Sequence, residues 1–558
     1  MKNLARFASL VGCICATEFC TGGNSAVDLV VTNGVIYTAE LDNPTASALA
    51  VKDGRIVFVG NNEGAMELAG PGTEVLDLEH RTVIPGMIDA HAHLTWLGFA
   101  MTRLNLVGTR SYEEVVSLVA ERAGTAAPGE WIRGRGWDQN DWENTAFPTH
   151  ERLSSVTPQN PVFLTRIDGH ATFVNARAME LVDLDRMTFD PEAGRIIRDA
   201  DGNPTGVLID AAADSVEARI AQPTRRQVRE ATAAAIAHFN SLGVTGVHDA
   251  GVGADTIDAH EELAAEGNFN LRSYVMISNN DAVIDHYLDR GLQSGLYGGR
   301  IWIRAIKIQA DGAMGSRGAA LIDDYTDEPG NRGLITGNYD RIYEVALRAL
   351  RSGFQLSVHA IGDRANRMAL DAFEAAFAVV PKENHRFRIE HAQTIHPDDI
   401  RRFAALGVIP SMQGSHQTSD MYWIEERLGP ERVNGAYAWR SLRDTGVIIP
   451  NGSDTPVEFP NPLISFRAFF TRMDAEGYPE GGWHPEQRMT RQEALLSVTL
   501  WPAQASFMEE DVGSLARGKY ADFVVLDRDI MTVAESEILD SQVIMTFLGG
   551  ERVFSREN

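Results

Sequence analysis

The stretch "VIPGMIDAHAHL", residues 83–94, decides how the rest of the chain reads. It is an apolar, strand-like run that ends on two histidines, His91 and His93, two positions apart. Side chains at i and i+2 of a strand point to the same face. The two imidazoles would therefore leave one strand end side by side, an arrangement suited to a metal ion and of little use in a core. Taken alone, the pair also reads as two surface histidines at a strand–loop boundary, so its meaning depends on the other strands.

Apolar runs recur along the chain and end near His91, His248, Met276, Lys307, His359, His391, Met412 and Asp454. Most gaps after the first are about thirty residues, the length of one strand–helix unit. Between them, "YDRIYEVALRALRSG" (339–353) and "HPDDIRRFAALG" (396–407) carry apolar residues at helical spacing and close on glycine. Eight such units predict an α/β fold with a (β/α)8 barrel over residues 85–510. The first gap is too long for one unit. Residues 95–225 read as an insertion after the first strand, followed by a helix over 228–243 that leads into the second. Both chain ends are β-like. "DLVVTNGVIYTAE" and "VKDGRIVFVG" have turn signals at Asn33-Gly34 and Asp53-Gly54, and "GKYADFVVLDRD" and "VIMTFLGGERVFS" repeat the style. Residues 27–84 and 511–558 are expected to pair into one small β-sandwich, with two separate β-caps as the alternative.

The bulk numbers exclude some function classes. The chain has 558 residues, a net charge of -27 and a pI of about 5.0. Nucleic acid and anionic membrane surfaces need basic patches, so neither is an expected partner. No segment after the N-terminus has the long apolar run of a membrane span. All the cysteines, Cys13, Cys15 and Cys20, lie near the N-terminus, so any metal further along must be held by His, Asp, Glu or a modified Lys. Residues 1–26 have a basic start, a short apolar run and then small and polar residues, which reads as an export signal to the periplasm or beyond. "LVGC" looks like a lipoprotein box that would anchor the chain through Cys13. Glu18 and the shortness of the apolar run favour the alternative, a cytoplasmic tail.

Barrels of this kind carry their functional side chains at the C-terminal ends of the strands. Those ends hold His91 and His93 on the first strand, Lys307 on the fourth, His359 on the fifth, His391 on the sixth and Asp454 on the eighth. Each has an ordinary structural reading by itself: Lys307 as a snorkelling lysine, Asp454 as a helix cap. Together they fall at one mouth.

With these residues, the phrases "IKIQADGAMGSR", "SVHAIGDRAN", "RIEHAQ" and "NGSDTPVEFPNPL" make the chain resemble the amidohydrolase superfamily, in its YtcJ-type branch with the N-substituted formamide deformylases, from about residue 28 to 555. The resemblance implies a centre of two divalent metal ions. His91, His93 and Asp454 would bind one, His359 and His391 the other, and Lys307, carboxylated by carbon dioxide, would bridge them. Zinc is the expected ion, while manganese, iron or nickel would also suit the donors. The implied reaction is hydrolysis of a C–N bond in a small amide-like substrate by a metal-bridging hydroxide, with Asp454 shuttling the proton to the leaving nitrogen. Ester or lactone hydrolysis, deamination or isomerisation on the same metals is the alternative. A non-catalytic scaffold is another, against which the full ligand set argues. A homodimer is a compatible assembly.

Further residues are expected around the metals. Trp137 with Asp138, and His170, look like pocket-wall positions of the insertion. His170 would bind substrate or oxyanion, or make a structural hydrogen bond. Arg317 would pair with a substrate carboxylate, or clamp its glycine-rich loop. His416 would line the mouth, or start a helix. His248 reads as a supporting group behind the ligands. Trp96, Trp137, Trp142 and Trp423 would make an apolar pocket, or the core of the insertion.

Overall fold

The computed structural model describes residues 26–556, so the export-signal reading, with Cys13, lies outside the described residues. Strands β1 (Met87–Ala92), β2 (Val244–Val252), β3 (Arg272–Ile277), β4 (Ile301–Gln309), β5 (Gln355–Ala360), β6 (Arg388–His391) and β7 (Ile409–Ser411) pair in parallel, in that order from β1 to β7. The helices between them cover the outside, as the 3.6-residue periodicity requires. Helix Tyr339–Ser352 starts on an Asn338 cap and ends at Gly353 in the left-handed region, and Pro397–Leu406 ends the same way at Gly407. Helix Arg225–Ser241 begins with a Thr224–Gln227 capping box and delivers the chain to β2.

The eighth stave differs from the regular strand expected of "VIIPNGSD". Residues 449–454 lie between β7 and β1 but make only scattered bonds. Met412 N–H donates to Pro450 O at 3.0 Å, Ala90 N–H to Asn451 O at 2.7 Å, and Asp454 N–H to His91 O at 2.7 Å. Two residues explain the irregularity. Pro450 has no N–H for a ladder, and Gly452 packs so tightly on β1 that a Cβ there would lie 2.5 Å from His91 Cβ. The buried Asp89 carboxylate fastens the seam, accepting from Ser453 N at 3.0 Å and Ser453 Oγ at 2.5 Å.

The chain ends form two stacked sheets. Leu29–Thr32 lies between Ala48–Lys52 and Glu74–Asp77 in a four-stranded sheet; Thr82–Pro85 pairs with the C-terminal Phe523–Leu526 in a six-stranded one. Alternation assigns the faces. Val83, Phe523 and Val525 meet Leu29, Val31 and Leu49 inside the sandwich, while Ile84, Val524 and Leu526 join the barrel core. Asp53-Gly54 is a hairpin turn with both residues at positive φ, but Asn33-Gly34 is a corner at which the chain passes from one sheet to the other.

The insertion after β1 is a mixed sheet of its own. Its strand order is Gly194–Arg198, Pro204–Asp210, Ala171–Val174, Val162–Arg166, Ile132–Trp137 and Leu104–Asn105. One face packs on helix Tyr112–Ala123 around Trp137, Leu164 and Phe173. The opposite face looks onto the C-terminal mouth of the barrel. No helix among the described residues is long and apolar enough to cross a membrane.

Candidate metal centre

A cleft of about 580 Å³ lies between the barrel mouth and the insertion, and its lining includes His91, His93, Lys307, His359, His391 and Asp454. The geometry follows from the strand ends. His91 closes β1 and is fully buried, and His93 follows on the same side. Their ring centroids are 5.6 Å apart; His91 lies 4.9 Å from His391, which lies 4.5 Å from His359. Asp454 Oδ1 sits 3.5 Å from His91 Nε2 and 3.2 Å from His93 Nε2. One donor atom from each of these three groups falls within 4.8 Å of the others. His391 and Asp454 both hold a positive φ, at 73° and 56°, a backbone state that costs on the order of 1–3 kcal/mol in a residue with a Cβ. The surrounding bonds hold them there and aim both side chains inward.

The hydrogen bonds behind the rings decide their tautomers. Nδ1 of His91 lies 2.6 Å from the Glu390 carboxylate, Nδ1 of His93 2.9 Å from Ala250 O, and Nδ1 of His391 2.9 Å from Gln413 Oε1. Each partner only accepts, so each ring carries its proton on Nδ1 and keeps a lone pair on Nε2. The Nε2 atom of His91 is buried and has no hydrogen-bond partner among the described residues. A lone pair so placed is costly to leave bare and fits a cation. His359 faces Gly312 O through Nε2 at 3.4 Å, which leaves Nδ1 as its free nitrogen. Burial pushes the His91 imidazole down to about 4 and those of His359 and His391 well below the usual range, so all three are neutral donors. Burial would raise Asp454, but the imidazoles of His93, His91 and His391 around it hold its carboxyl well below the usual range, ionised. Lys307 is buried, which lowers its ammonium toward the neutral amine.

Behind the rings lies an ion pair that the sequence reading did not single out. Glu390 Oε1 is 2.7 Å from Arg388 Nε, and both side chains are fully buried. Arg388 also donates to Ala90 O and Ser411 Oγ, tying β6 to β1 and β7. His248 accepts from Arg388 at 2.8 Å through Nδ1, so it supports this pair and turns no lone pair toward the cleft. The signal was present in "FRIEH", where two charged residues at i and i+2 interrupt an apolar strand and so share its barrel-facing side.

The remaining expected residues separate. His170 lines the cleft, its ring 5.3 Å from that of His359, with Nδ1 donating to Asp210 at 2.6 Å. Burial works against its charge, but the Asp210 carboxylate wins and raises it to about 9, so it is an imidazolium. Trp96 also lines the cleft, stacked on His93 at 4.7 Å. Trp137 does not reach the cleft: it is fully buried in the insertion core beside Trp142, with Nε1 donating to Leu164 O. A bulge at Gly136, at φ 106°, breaks the alternation that would set Trp137 beside Arg133 and Arg135 and turns it into the core, which corrects its expected place in the pocket wall. Arg317 is spent on Asp327 at 2.8 Å and Glu328 at 3.6 Å, the clamp reading, and does not line the cleft. His416 lies behind His391, 6.1 Å away and parallel to it, inside helix Gly414–Asp420, and is outside the cleft lining.

Comparison with known proteins gives the family of the chain. Residues 74–554 match the amidohydrolase family model. The chain is 33% identical to Protein LONG AFTER FAR-RED 3 of Arabidopsis thaliana, over 94% of this chain and 91% of the relative. It is 30% identical to the putative amidohydrolase YtcJ of Bacillus subtilis, over 94% and 98%. It is 29% identical to the N-substituted formamide deformylase of Arthrobacter pascens, over 95% and 98%. Among solved structures, an uncharacterized metal-dependent hydrolase of Pyrococcus furiosus superposes with a TM-score of 0.71 at 30% identity, covering 90% of this chain and 100% of that one. With the family model spanning the barrel and both ends of the site, the chain belongs to the amidohydrolase family.

Proposed function

We propose that this chain hydrolyses a C–N bond in a small amide-like molecule with two divalent metal ions. His91, His93 and Asp454 would hold one ion and His359 and His391 the other, with Lys307, carboxylated by carbon dioxide, between them. The observation that carries the reading is the set of imidazoles whose Nδ1–H groups are tied down behind them, so that their Nε2 lone pairs converge beside an ionised Asp454. The N-substituted formamide deformylase of Arthrobacter pascens, similar over nearly its whole length, supports an amide as substrate. Zinc suits these nitrogen and oxygen donors.

Bound divalent ions supply Lewis-acid polarisation of a carbonyl and acidification of a water. The protein's own groups do the rest. Lys307 is poised for carboxylation because burial favours the neutral amine, the form that adds carbon dioxide; the product is an anion where a cation would be repelled. Asp454, ionised and 3.2 Å from His93 Nε2, accepts a proton from the attacking water and passes it to the leaving nitrogen. The His170 imidazolium, braced by Asp210, offers a donor to the oxygen on which negative charge develops.

The test is metal content together with turnover of N-substituted formamides and matched esters, with and without chelator. Amide turnover that falls by about 10²–10⁴ in Asp454→Asn supports the reading. Turnover of esters alone would move it to ester hydrolysis, and a metal-loaded protein inert to the whole panel would move it to a scaffold.

A further inference from the structure

The insertion's wall of the cleft is cationic. On strand Ile132–Trp137, Ile132 and Gly134 alternate with Arg133 and Arg135, so the apolar side enters the insertion core and the arginines take the opposite face. On the adjacent strand Leu104 is level with Gly134 and Asn105 with Arg135, which brings Arg103 beside Arg133. Phe163 and Thr165 flank Arg133 and Arg135 on the other side. These five residues line the same cleft as His91, Lys307 and Asp454.

Arg135 is occupied, donating to Pro456 O at 2.5 Å and Ile167 O at 2.8 Å. Among the described residues, Arg103 and Arg133 have no such partner. Both are partly buried, Nε of Arg133 is enclosed without a partner, and the opposing charge nearest in effect to both is Glu217, exposed at the rim. Burial and the neighbouring guanidinium groups pull Arg103 down to about 10. Two partly desolvated cations side by side are unfavourable without a counter-charge. The chain has 77 acidic residues against 50 basic ones, so an internal carboxylate partner was readily available and is not used here. A guanidinium fork matches a carboxylate in shape as well as charge.

We infer that Arg103 and Arg133 bind a carboxylate on the substrate, so that the enzyme acts on amides that also carry an acid group, the acid held by the insertion and the amide presented to the barrel mouth. This inference rests on the amide-hydrolysis reading above, and its test separates the two. In the metal-loaded enzyme, N-formyl ω-amino acids of graded length are compared with the matching N-formyl amino alcohols. In parallel, calorimetry measures binding of phenylpropionate, phenylpropanol and inorganic phosphate. The parent should prefer the acids in kcat/KM by on the order of tenfold or more, the usual worth of a charge-assisted hydrogen bond. In Arg133→Met and, separately, Arg103→Met, that ratio should approach one and phenylpropionate binding should be lost, with metal content and melting temperature as checks on folding. Amide turnover without an acid preference overturns the subsite and leaves the reaction standing. No amide turnover, with phenylpropionate binding that still depends on Arg133, overturns the reaction and supports the subsite. Phenylpropionate binding unchanged in both variants would place the acid on the metals, and phosphate bound in its stead would reassign the substrate to a phosphate ester; either result overturns the inference.

Discussion

Replacing Glu390 by glutamine should weaken the metal centre although Glu390 offers it no ligand. Its Oε2 lies 2.6 Å from His91 Nδ1 and 2.9 Å from an Arg388 NH2 group, and its Oε1 2.7 Å from Arg388 Nε, all fully buried. Burial opposes its ionisation, but Arg388 and His91 outweigh that and keep it a carboxylate at any working pH. Glutamine has the same shape and can still accept from His91, but it brings no charge to raise the basicity of Nε2. Groups in this position are typically worth 10–100-fold in metal affinity, or about 1.4–2.8 kcal/mol. The apo-protein should suffer separately, because Arg388 is left buried without its counter-ion. Breaking such a pair costs about 3–5 kcal/mol. Zinc affinity measured by competition with a chromogenic chelator and apo stability measured by urea unfolding report the two effects independently. A zinc Kd within twofold of the parent would refute the orienting role of Glu390, and an unchanged urea midpoint would refute the reading of Arg388 as dependent on it.

Other perturbations probe other parts of the chain. Lys307→Ala should lower metal content and abolish turnover, with partial rescue by short carboxylic acids; full activity without added acid would contradict a bridging role. Gly452→Ala should destabilise the fold by about 1–3 kcal/mol and lower metal content, since the new methyl meets His91 at 2.5 Å; an unaltered melting curve would show that the seam can yield. The imidazole of His260, fully buried against Thr95, is pushed down to about 3 by burial. The folded state keeps it neutral while the unfolded state takes a proton near pH 6.5. Its contribution is therefore complete above that pH and is lost by about 1.4 kcal/mol per unit as pH falls toward 3. The stability gap between the parent and His260→Gln should narrow from pH 6.5 to 5, and a constant gap would sink the assignment.

Much of this architecture is local enough to be legible in one dimension. A period of two in "VIPGMIDAHAH" and of 3.6 in "YDRIYEVALRALRSG" sets which way each side chain points before any tertiary contact forms. That is why the barrel, the β-like character of both chain ends and the strand positions of His91, Lys307, His359 and His391 could be read from spacing. The arginine wall obeys the same rule: Arg133 and Arg135 alternate with Ile132 and Gly134, but alternation alone does not reveal that the face so defined looks onto a cleft.

What the chain could not disclose is who meets whom. Trp137 sits in a phrase that resembles a pocket wall, yet a bulge at Gly136 turns it into a core, and Arg317 found its carboxylate at Asp327, not on a ligand. The His91–Glu390 bond joins residues 299 positions apart, and the stave at 449–454 is bent by the tight approach of Gly452 to a strand some 360 residues earlier. Spacing along a chain dictates the direction of a side chain, because that depends on neighbouring dihedrals. Its partner, and therefore its charge and tautomer, depends on closing the barrel, which brings together groups that share no local geometry.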